Sequence, residues 1–192
     1  MKKLFVLIIA VVLSSSVFAK MDSTIRPLFK AVKKGQNSEV THLLKQDVYK
    51  SKINATVGKK KIPLLFIAAK KGSRAVVETL LKNGADPTAK DADKITALMI
   101  ASEKGYTSIV KLILDAIPDK DVKTEYVNAQ DEDGSTALFL AIDGGSDNVS
   151  EVVRLLIDNR ADSKIANNEG DTPVELAREY EMASIVSAMT KN

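Results

Sequence analysis

Few side chains of this 192-residue chain could carry out chemistry by themselves. The chain has one histidine, His42, and no cysteine, so it offers neither a usual zinc ligand set nor a nucleophilic relay. Residues Asp131-Glu132-Asp133-Gly134 resemble the start of a calcium loop, but the twelfth position, which needs a glutamate, is Ile142. Carboxylates are plentiful, yet a paired-carboxylate enzyme needs a cleft that excludes water. We therefore predict no enzyme activity, no cofactor and no metal.

The elements that must position these side chains repeat along the chain. A short phrase begins at residues 26, 63, 96, 136 and 172, so its spacing is about 33 to 40 residues. Its five copies are Arg26-Pro27-Leu28-Phe29, Pro63-Leu64-Leu65-Phe66, Thr96-Ala97-Leu98-Met99, Thr136-Ala137-Leu138-Phe139 and Thr172-Pro173-Val174-Glu175. A period in this range indicates stacked supersecondary units, which form a solenoid rather than a closed globule with a pocket.

Each phrase predicts the start of a helix. In the third copy Thr96 suits an N-cap, and Gly105 suits a left-handed helix end. After a short turn, the apolar spacing of Ile109 to Leu114 predicts a second helix. The second and fourth copies follow the same order, so the unit is a helix-turn-helix pair that must stack to bury its apolar face.

On these residues the chain resembles the ankyrin-repeat proteins. That family has a turn, then T-P-L-H-x-A-A-x-x-G, a second helix with V-V-x-L-L-L, and a closing G-A-D-x-N-A. Here repeat two closes with residues 83–89, Asn-Gly-Ala-Asp-Pro-Thr-Ala, and repeat four with residues 159–162, Asn-Arg-Ala-Asp. The resemblance implies an all-α ankyrin-repeat solenoid of about five helix-turn-helix repeats with protruding β-turn or hairpin loops, here called fingers. The repeats would cover about 22–54, 55–90, 91–127, 128–166 and 167–192 of a domain spanning 20–192.

The chain departs from the family pattern in ways that the structure can test. The family's histidine position holds Phe29, Phe66, Met99, Phe139 and Glu175, which predicts apolar packing in place of a histidine network. Repeat one begins with Arg26-Pro27, and repeat five has Glu181 where the glycine belongs. These two outer repeats fit terminal caps, because an outer repeat must face water on one side.

Two insertions lengthen the repeats. Residues 117–127, which include Tyr126, lie where the second helix of repeat three gives way to the turn, so we expect them to lengthen a finger. Residues 144–148 lengthen the turn between the two helices of repeat four. Tolerated surface insertion explains both, since loop lengthening costs little free energy. The alternative for the first insertion is that the lengthened finger, with Tyr126 on it, contacts a partner.

The N-terminus predicts export. Lys2 and Lys3 precede an apolar run from Leu4 to Leu13, and Val17-Phe18-Ala19 fits a cleavage site. This pattern is typical of a secretory signal peptide over 1–19, and it is too short to span a bilayer. A retained N-terminal anchor is the alternative. The short, lysine-led form indicates a bacterial protein, so we expect a periplasmic chain that begins at Lys20.

Charge and cysteine content narrow the classes of partner. Loss of two lysines with the signal peptide would lower the formal charge from +3 to about +1, which gives no net field for nucleic acid or an anionic membrane. The lack of cysteine suits an oxidising compartment. We therefore expect a protein partner, no nucleic acid, no membrane contact after cleavage, and a monomer when free.

The resemblance places partner contacts on the fingers and on the exposed face of each first helix. At the N-terminal end the matching positions are basic: Lys33, Lys34, Lys59, Lys60, Lys70 and Lys71. Repeat three contributes the mixed set Asp93, Ile95, Glu103 and Lys104. The C-terminal positions are acidic and include one tyrosine: Glu132, Asp133, Asp143, Glu169, Asp171, Glu179 and Tyr180. Ile62, Ile95, Tyr126 and Tyr180 are the expected exposed anchors. The alternative is that these are ordinary solvated charges.

The layout of an exported ankyrin chain favours a non-enzymatic protein that binds another protein. It resembles bacterial self-protection or immunity proteins that inhibit exported enzymes, such as peptidoglycan endopeptidases and other peptidoglycan hydrolases. Two alternatives remain open. One is a secreted effector that captures a host protein, and the other is a periplasmic scaffold or stabiliser in oxidative-stress or haem-enzyme maturation.

Overall fold

The computed structural model of the protein describes residues 23–190. It forms five helix pairs in the order that the repeats predict. The first helices are α1 (Arg26–Lys34), α4 (Leu64–Lys71), α6 (Ala97–Glu103), α9 (Ala137–Asp143) and α11 (Pro173–Glu179). The second helices are α2 (Asn37–Leu44), α5 (Arg74–Lys82), α7 (Thr107–Asp115), α10 (Val149–Asp158) and α12 (Ala183–Thr190). Two further helices, α3 (Asp47–Lys50) and α8 (Lys120–Val127), follow the second helices of repeats one and three.

The helices form two layers. In one layer α1, α4, α6, α9 and α11 pack each against the next, and in the other α2, α5, α7, α10 and α12 do the same. The core between the layers is one continuous apolar cluster that extends from Ile25 to Met189. Because each pair contacts its neighbours, the chain is an all-α solenoid of stacked helix pairs, as the repeats predict.

Threonine starts three of the first helices. The Oγ1 atoms of Thr96, Thr136 and Thr172 accept a hydrogen bond from the backbone N–H three residues on, at 3.1, 3.2 and 3.3 Å. These bonds satisfy donors that have no partner within the helix. In repeat two Pro63 stands at the cap position without a side-chain bond. The threonine of the repeated phrase is thus a local helix-start signal.

The glycine that follows the first helix is needed for conformation and for space. Gly35 and Gly72 both end their helices at φ 72°, in the left-handed region. A Cβ atom on Gly35 would lie 2.6 Å from Ser73 Oγ, and one on Gly72 would lie 2.9 Å from the ring of Tyr106. The next repeat therefore packs directly on this turn. In repeat five Glu181 adopts φ 56° at the corresponding place, a conformation that costs free energy in a side-chain-bearing residue.

The family's histidine position is apolar and buried in four repeats, as predicted. Phe29, Phe66, Met99 and Phe139 belong to the core. Glu175 is exposed and instead caps its own helix, because its Oε2 accepts from the N–H of Thr172 at 3.1 Å. Hydrogen bonds from the hydroxyl and then from the N–H of Thr172 hold the pKa of Glu175 below its usual value. The terminal repeat has therefore exchanged a packing residue for a capping residue.

The insertion of repeat three does not lengthen a finger, so that prediction is wrong. Residues 120–127 form α8, whose N-terminus is capped by Asp119: its Oδ1 accepts from the N–H of Asp121 and of Val122, both at 2.9 Å. Tyr126 and Val127 at the other end of α8 are buried. The insertion folds back as a helix because it has both a cap and an apolar end that the core can bury. The longer connection of repeat four, residues 144–148, is present as predicted.

The solenoid has two kinds of junction between a second helix and the following finger. Repeats one and three use a helical junction, α3 or α8, whereas repeats two and four use a tight loop at residues 83–86 or 159–162. The asparagine after each helical junction clamps the tight loop of the next repeat. Asn54 Nδ2 donates to Gly84 O at 3.2 Å, and Asn54 Oδ1 accepts from Asp86 N at 2.8 Å.

The second clamp repeats the geometry of the first. Asn128 Nδ2 donates to Arg160 O at 2.9 Å, and its Oδ1 accepts from Asp162 N at 2.7 Å. In repeat two the residue at the position of these asparagines is Thr88. Its Oγ1 donates instead to the carboxylate of Asp86 in its own loop, at 2.7 Å. The two junction types therefore alternate, and each helical junction clamps a tight one.

Candidate partner-binding surface

The fingers of repeats three, four and five are each shaped by one acceptor side chain. Asp91 Oδ1 accepts from the N–H of Asp93 at 3.0 Å and of Ile95 at 2.9 Å. Asp131 in the next finger and Asn167 in the last make the same pair of bonds to the residues two and four positions on. Burial raises the pKa of both aspartates. In a calcium loop an oxygen of Asp131 would bind the metal, whereas here that side chain accepts two hydrogen bonds from its own turn.

The fingers are joined to one another by backbone hydrogen bonds at their tips. Ala92 N donates to Lys60 O at 2.7 Å, and Glu132 N donates to Asp93 O at 3.1 Å. Asn168 N donates to Asp133 O at 2.9 Å in the last step. Only the finger of repeat two is a regular antiparallel hairpin, of β1 (Thr56–Val57) and β2 (Ile62–Pro63), within the part of the chain that the structure describes. The predicted contact residues on the fingers therefore lie on one connected surface.

The candidate charges of repeat three are already paired, one of them with a lysine of repeat two. The ammonium of Lys60 bonds the carboxylate of Asp93 across two fingers, and this hydrogen bond raises the pKa of Lys60. Lys104 Nζ lies 2.7 Å from Glu103 Oε1 at the end of α6. The structure therefore brings four predicted contact residues together as two ion pairs, which leaves the middle of the surface close to neutral.

The lysines at the first-helix ends of repeats one and two have no such partners. Within residues 23–190, Lys33, Lys34, Lys70 and Lys71 form no ion pair, and all four are exposed. Lys30, Lys33 and Lys34 of α1 and Lys71 of α4 line an open cleft of about 610 Å³. Sequence reasoning missed Lys30, although its spacing from Lys33 and Lys34 places the three on one helix face. Lys59 is exposed on the finger.

Lys70 differs from the cleft lysines because a carboxylate, that of Glu103, is nearby. Partial desolvation of the Lys70 ammonium lowers its pKa, and the charge of Glu103 opposes that shift. Lys33 and Lys34 lie in the last turn of α1, and Lys70 and Lys71 in the last turn of α4, where a positive charge interacts favourably with the helix dipole. The basic end therefore has a structural role in addition to any contact role.

The C-terminal candidates are exposed carboxylates. Glu132, Asp133, Glu169, Asp171 and Glu179 form no ion pair among the described residues. Asp143 accepts a hydrogen bond from the hydroxyl of Tyr180 at 3.2 Å, which joins the ends of α9 and α11. Partial burial, followed by the charge of Asp143, raises the pKa of Tyr180. The surface is thus basic at one end, paired in the middle and acidic at the other end.

Only one of the four expected anchors is well exposed. Tyr180 is 44% exposed, whereas Ile62 and Ile95 are half-buried against the core. The expected exposure of Tyr126 is wrong: only 6% of it is accessible. Its hydroxyl accepts from Leu98 N at 3.4 Å, and burial raises its pKa to about 12. Tyr126 therefore fastens α8 to the start of α6.

Two exposed apolar side chains were missed by the sequence reasoning. Val48 on α3 is 47% exposed and Val122 on α8 is 48% exposed. Both follow an aspartate at the start of a helical junction, a shared Asp-Val pattern that could have drawn attention to them. The helical junctions thus add an apolar spot to the outside of repeats one and three.

The other candidates for chemistry stand apart. His42 is exposed on α2. Within residues 23–190 no cluster of three or more histidine, cysteine, aspartate or glutamate side chains has the arrangement of a metal site. None of the helices in the same range is long and apolar enough to cross a membrane. The predicted signal peptide, 1–19, lies outside the described residues and stays a prediction.

Comparison with known proteins identifies the repeats. The family model for ankyrin repeats (three copies) matches the chain at residues 8–91, 28–125, 65–151 and 98–192. The chain is 38% identical to protein phosphatase 1 regulatory subunit 12A of Mus musculus over 84 residues, 44% of this chain and 7% of that protein. It is 29% identical to a transient receptor potential cation channel subfamily A member 1 homolog of Caenorhabditis elegans over 144 residues, 75% of this chain and 11% of that protein.

A third relative is closer to this chain in length. The ankyrin repeat-containing protein P1E11.10 of Schizosaccharomyces pombe is 29% identical over 109 residues, which is 56% of this chain and 46% of that protein. The chain thus spans less than half of each of these relatives. Ankyrin repeats are typically non-enzymatic modules for protein–protein interaction. The overlapping family matches cover most of the sequence, and the chain therefore belongs to the ankyrin-repeat family.

Proposed function

We propose that the chain is a periplasmic, non-enzymatic binding protein that inhibits an exported enzyme and so protects the cell that makes it. A peptidoglycan hydrolase, in particular an endopeptidase, is the class of target we favour. The N-terminal pattern of Lys2, Lys3 and the apolar run over 4–13 supports export. The lack of cysteine supports an oxidising compartment.

The observation that carries the binding proposal is the sorted charge along one connected surface. Fingers tied tip to tip present a pre-ordered surface, so a partner does not have to order it on binding. Unpaired lysines at one end and unpaired carboxylates at the other give the surface a polarity. Such a polarity orients a partner and raises its association rate more than it raises affinity.

The direct test is inhibition of a purified target. The full-length chain, expressed with its own N-terminus so that any processing occurs, is mixed with exported peptidoglycan endopeptidases of the same cell and with purified peptidoglycan. We expect one of these enzymes to lose activity at a one-to-one ratio with the ankyrin protein. If every such enzyme releases muropeptides at an unchanged rate, inhibition of these endopeptidases is wrong.

Cell fractionation and deletion separate the alternatives. We expect the protein in the periplasm, and we expect cells that lack it to round up and lyse. Recovery of the protein mainly from the medium supports a host-directed effector instead. Peroxide sensitivity without a change in cell shape supports the scaffold or stabiliser in oxidative stress.

A further inference from the structure

We propose that the cleft between the ends of α1 and α4 binds a short acidic segment of the protein partner. This inference rests on the proposed protein-binding function and says where the partner docks and by what chemistry. The cleft is lined by Lys30, Lys33, Lys34 and Lys71, so all of its lining side chains carry an ammonium group. The cleft holds about 610 Å³, room for a few side chains rather than for a folded domain.

The cleft is formed by the packing of two repeats rather than by chance proximity. α1 packs against α4, and both helices end in a left-handed glycine, Gly35 or Gly72. The stem of Lys71 crosses to the neighbouring repeat, where its Cγ lies 3.9 Å from the place that a Cβ on Gly35 would take. The tight turn therefore sets Lys71 beside the lysines of α1.

The charge in the cleft has no counterpart within the described residues. None of its four lysines forms an ion pair between residues 23 and 190. The adjoining depression, which shares Lys30 and Lys34, contains one carboxylate, Glu39, beyond ion-pair distance of either lysine. In contrast Lys60 and Lys104, the candidates of repeats two and three nearest to acids, are already paired. The cleft thus brings together four ammonium groups that are unpaired among the described residues, where they remain available to an outside carboxylate.

The rest of the surface limits the length and the type of the ligand. A long polyanion that followed the solenoid from this cleft would meet Glu132, Asp133, Glu169 and Asp171. Like charges along that path oppose binding. The side chains of the cleft are lysines, which act as separate point charges and suit single carboxylates without the fork geometry of arginine. A short run of glutamate or aspartate on a folded partner fits both conditions.

The test uses an oligoglutamate peptide and two triple variants of the full chain. The cleft variant carries Lys33→Gln, Lys34→Gln and Lys71→Gln. The control carries Lys45→Gln, Lys50→Gln and Lys111→Gln, three exposed lysines outside the cleft, so the net charge changes equally. We expect the cleft variant to bind a fluorescent oligoglutamate about tenfold more weakly than the wild type, since three modest charge contacts add up to that factor. The control should change less than about twofold.

Several outcomes would overturn the inference. One is equal weakening in both variants, which means non-specific attraction; another is no binding of oligoglutamate by the wild type. Tighter binding of a heparin oligosaccharide with the same lysine dependence would replace the acidic segment by an anionic polysaccharide. Circular dichroism and thermal unfolding of both variants test whether the fold is retained; we expect it to be, because the replaced lysines are exposed and glutamine keeps the first part of the stem.

The same variants separate this inference from the proposed function. If the cleft variant still inhibits the target enzyme as the wild type does, the cleft inference is wrong and the proposed function stands. If the wild type inhibits no exported enzyme, the proposed function fails, and the oligoglutamate titration still decides whether the cleft takes carboxylates.

Discussion

The helical junction after α7 and the tight junction after α5 connect a second helix to a finger by different physical means. In the helical junction a buried side chain does the fastening: Tyr126 fills space beside α6 and accepts a hydrogen bond from Leu98. In the tight junction the backbone does it, through a left-handed residue, Gly84, at φ 91°. The first solution depends on apolar burial and the second on conformation, so the two should fail to different extents when they are changed.

The largest expected effect is the loss of the buried tyrosine. Tyr126→Ala should lower the free energy of unfolding by about 3–5 kcal/mol, as for other buried aromatic residues. Tyr49→Ala on α3, the other helical junction, is the control; since Tyr49 is only half-buried, we expect a loss of about 1–2 kcal/mol. Urea unfolding of the two variants measures the difference. Equal losses would contradict a special role for Tyr126.

Removal of the hydroxyl alone separates hydrogen bonding from packing. Tyr126→Phe should cost about 1–2 kcal/mol, because the N–H of Leu98 loses its acceptor. The pKa of Tyr126 is raised to about 12, so its neutral form is favoured in the fold; the contribution is complete below pH 10 and is lost as pH rises through 12. Wild type should therefore lose more stability than Tyr126→Phe between pH 10 and 12. Parallel curves over that interval would show that the hydroxyl is not buried.

The asparagine clamps test whether the two junction types depend on each other. Asn54→Ala and Asn128→Ala each remove two bonds to the next tight loop, and we expect each to cost about 1–2 kcal/mol. Thr88→Ala, at the corresponding place in repeat two, removes only a bond within its own loop and should cost less. Thermal unfolding of the three variants gives the ranking. A loss for Thr88→Ala as large as for the asparagines would show that the clamp adds nothing.

The smallest expected change in stability comes from substitutions at the left-handed residue of each tight junction, and one of them should be stabilising. Arg160 has φ 70° where Gly84 has φ 91°. Arg160→Gly should raise stability by about 1 kcal/mol, and Gly84→Ala should lower it by a similar amount, since a Cβ is strained in this region. Differential scanning calorimetry can resolve both shifts. A destabilised Arg160→Gly would mean that contacts of the arginine side chain outweigh its backbone strain.

Local signals made much of the fold predictable. Thr96, Thr136 and Thr172 cap helices through bonds to residues three positions away, which the sequence alone reveals. The insertion of repeat three was mispredicted because residues 117–127 lie between the second helix and the turn, where extra residues would lengthen the finger. The cap at Asp119 and the apolar end at Tyr126-Val127 were available signals for a helix. The direction in which α8 folds back depends on which part of the core has room for Tyr126 and Val127. That space exists only once the repeats have packed together.

The candidate surface was predictable in position but not in pairing. The lysines and carboxylates lie on the exposed ends and fingers where the repeat places them. The ion pair between Lys60 and Asp93 needs the register of two fingers, although the two residues are 33 apart in sequence, one ordinary repeat. The cleft could not be predicted, because Lys71 and the lysines of α1 line one cleft only after α4 has packed on α1.

The tip-to-tip hydrogen bonds of the fingers have a consequence for hydrogen exchange. The amide protons of Ala92, Glu132 and Asn168 lie at the ends of surface turns, where exchange is ordinarily fast, yet each is bonded to the preceding finger. Each of the three amide protons reports on one contact between neighbouring fingers, since its exchange requires the two fingers to separate. Their three rates therefore measure, one by one, how often neighbouring repeats of the folded chain part from each other.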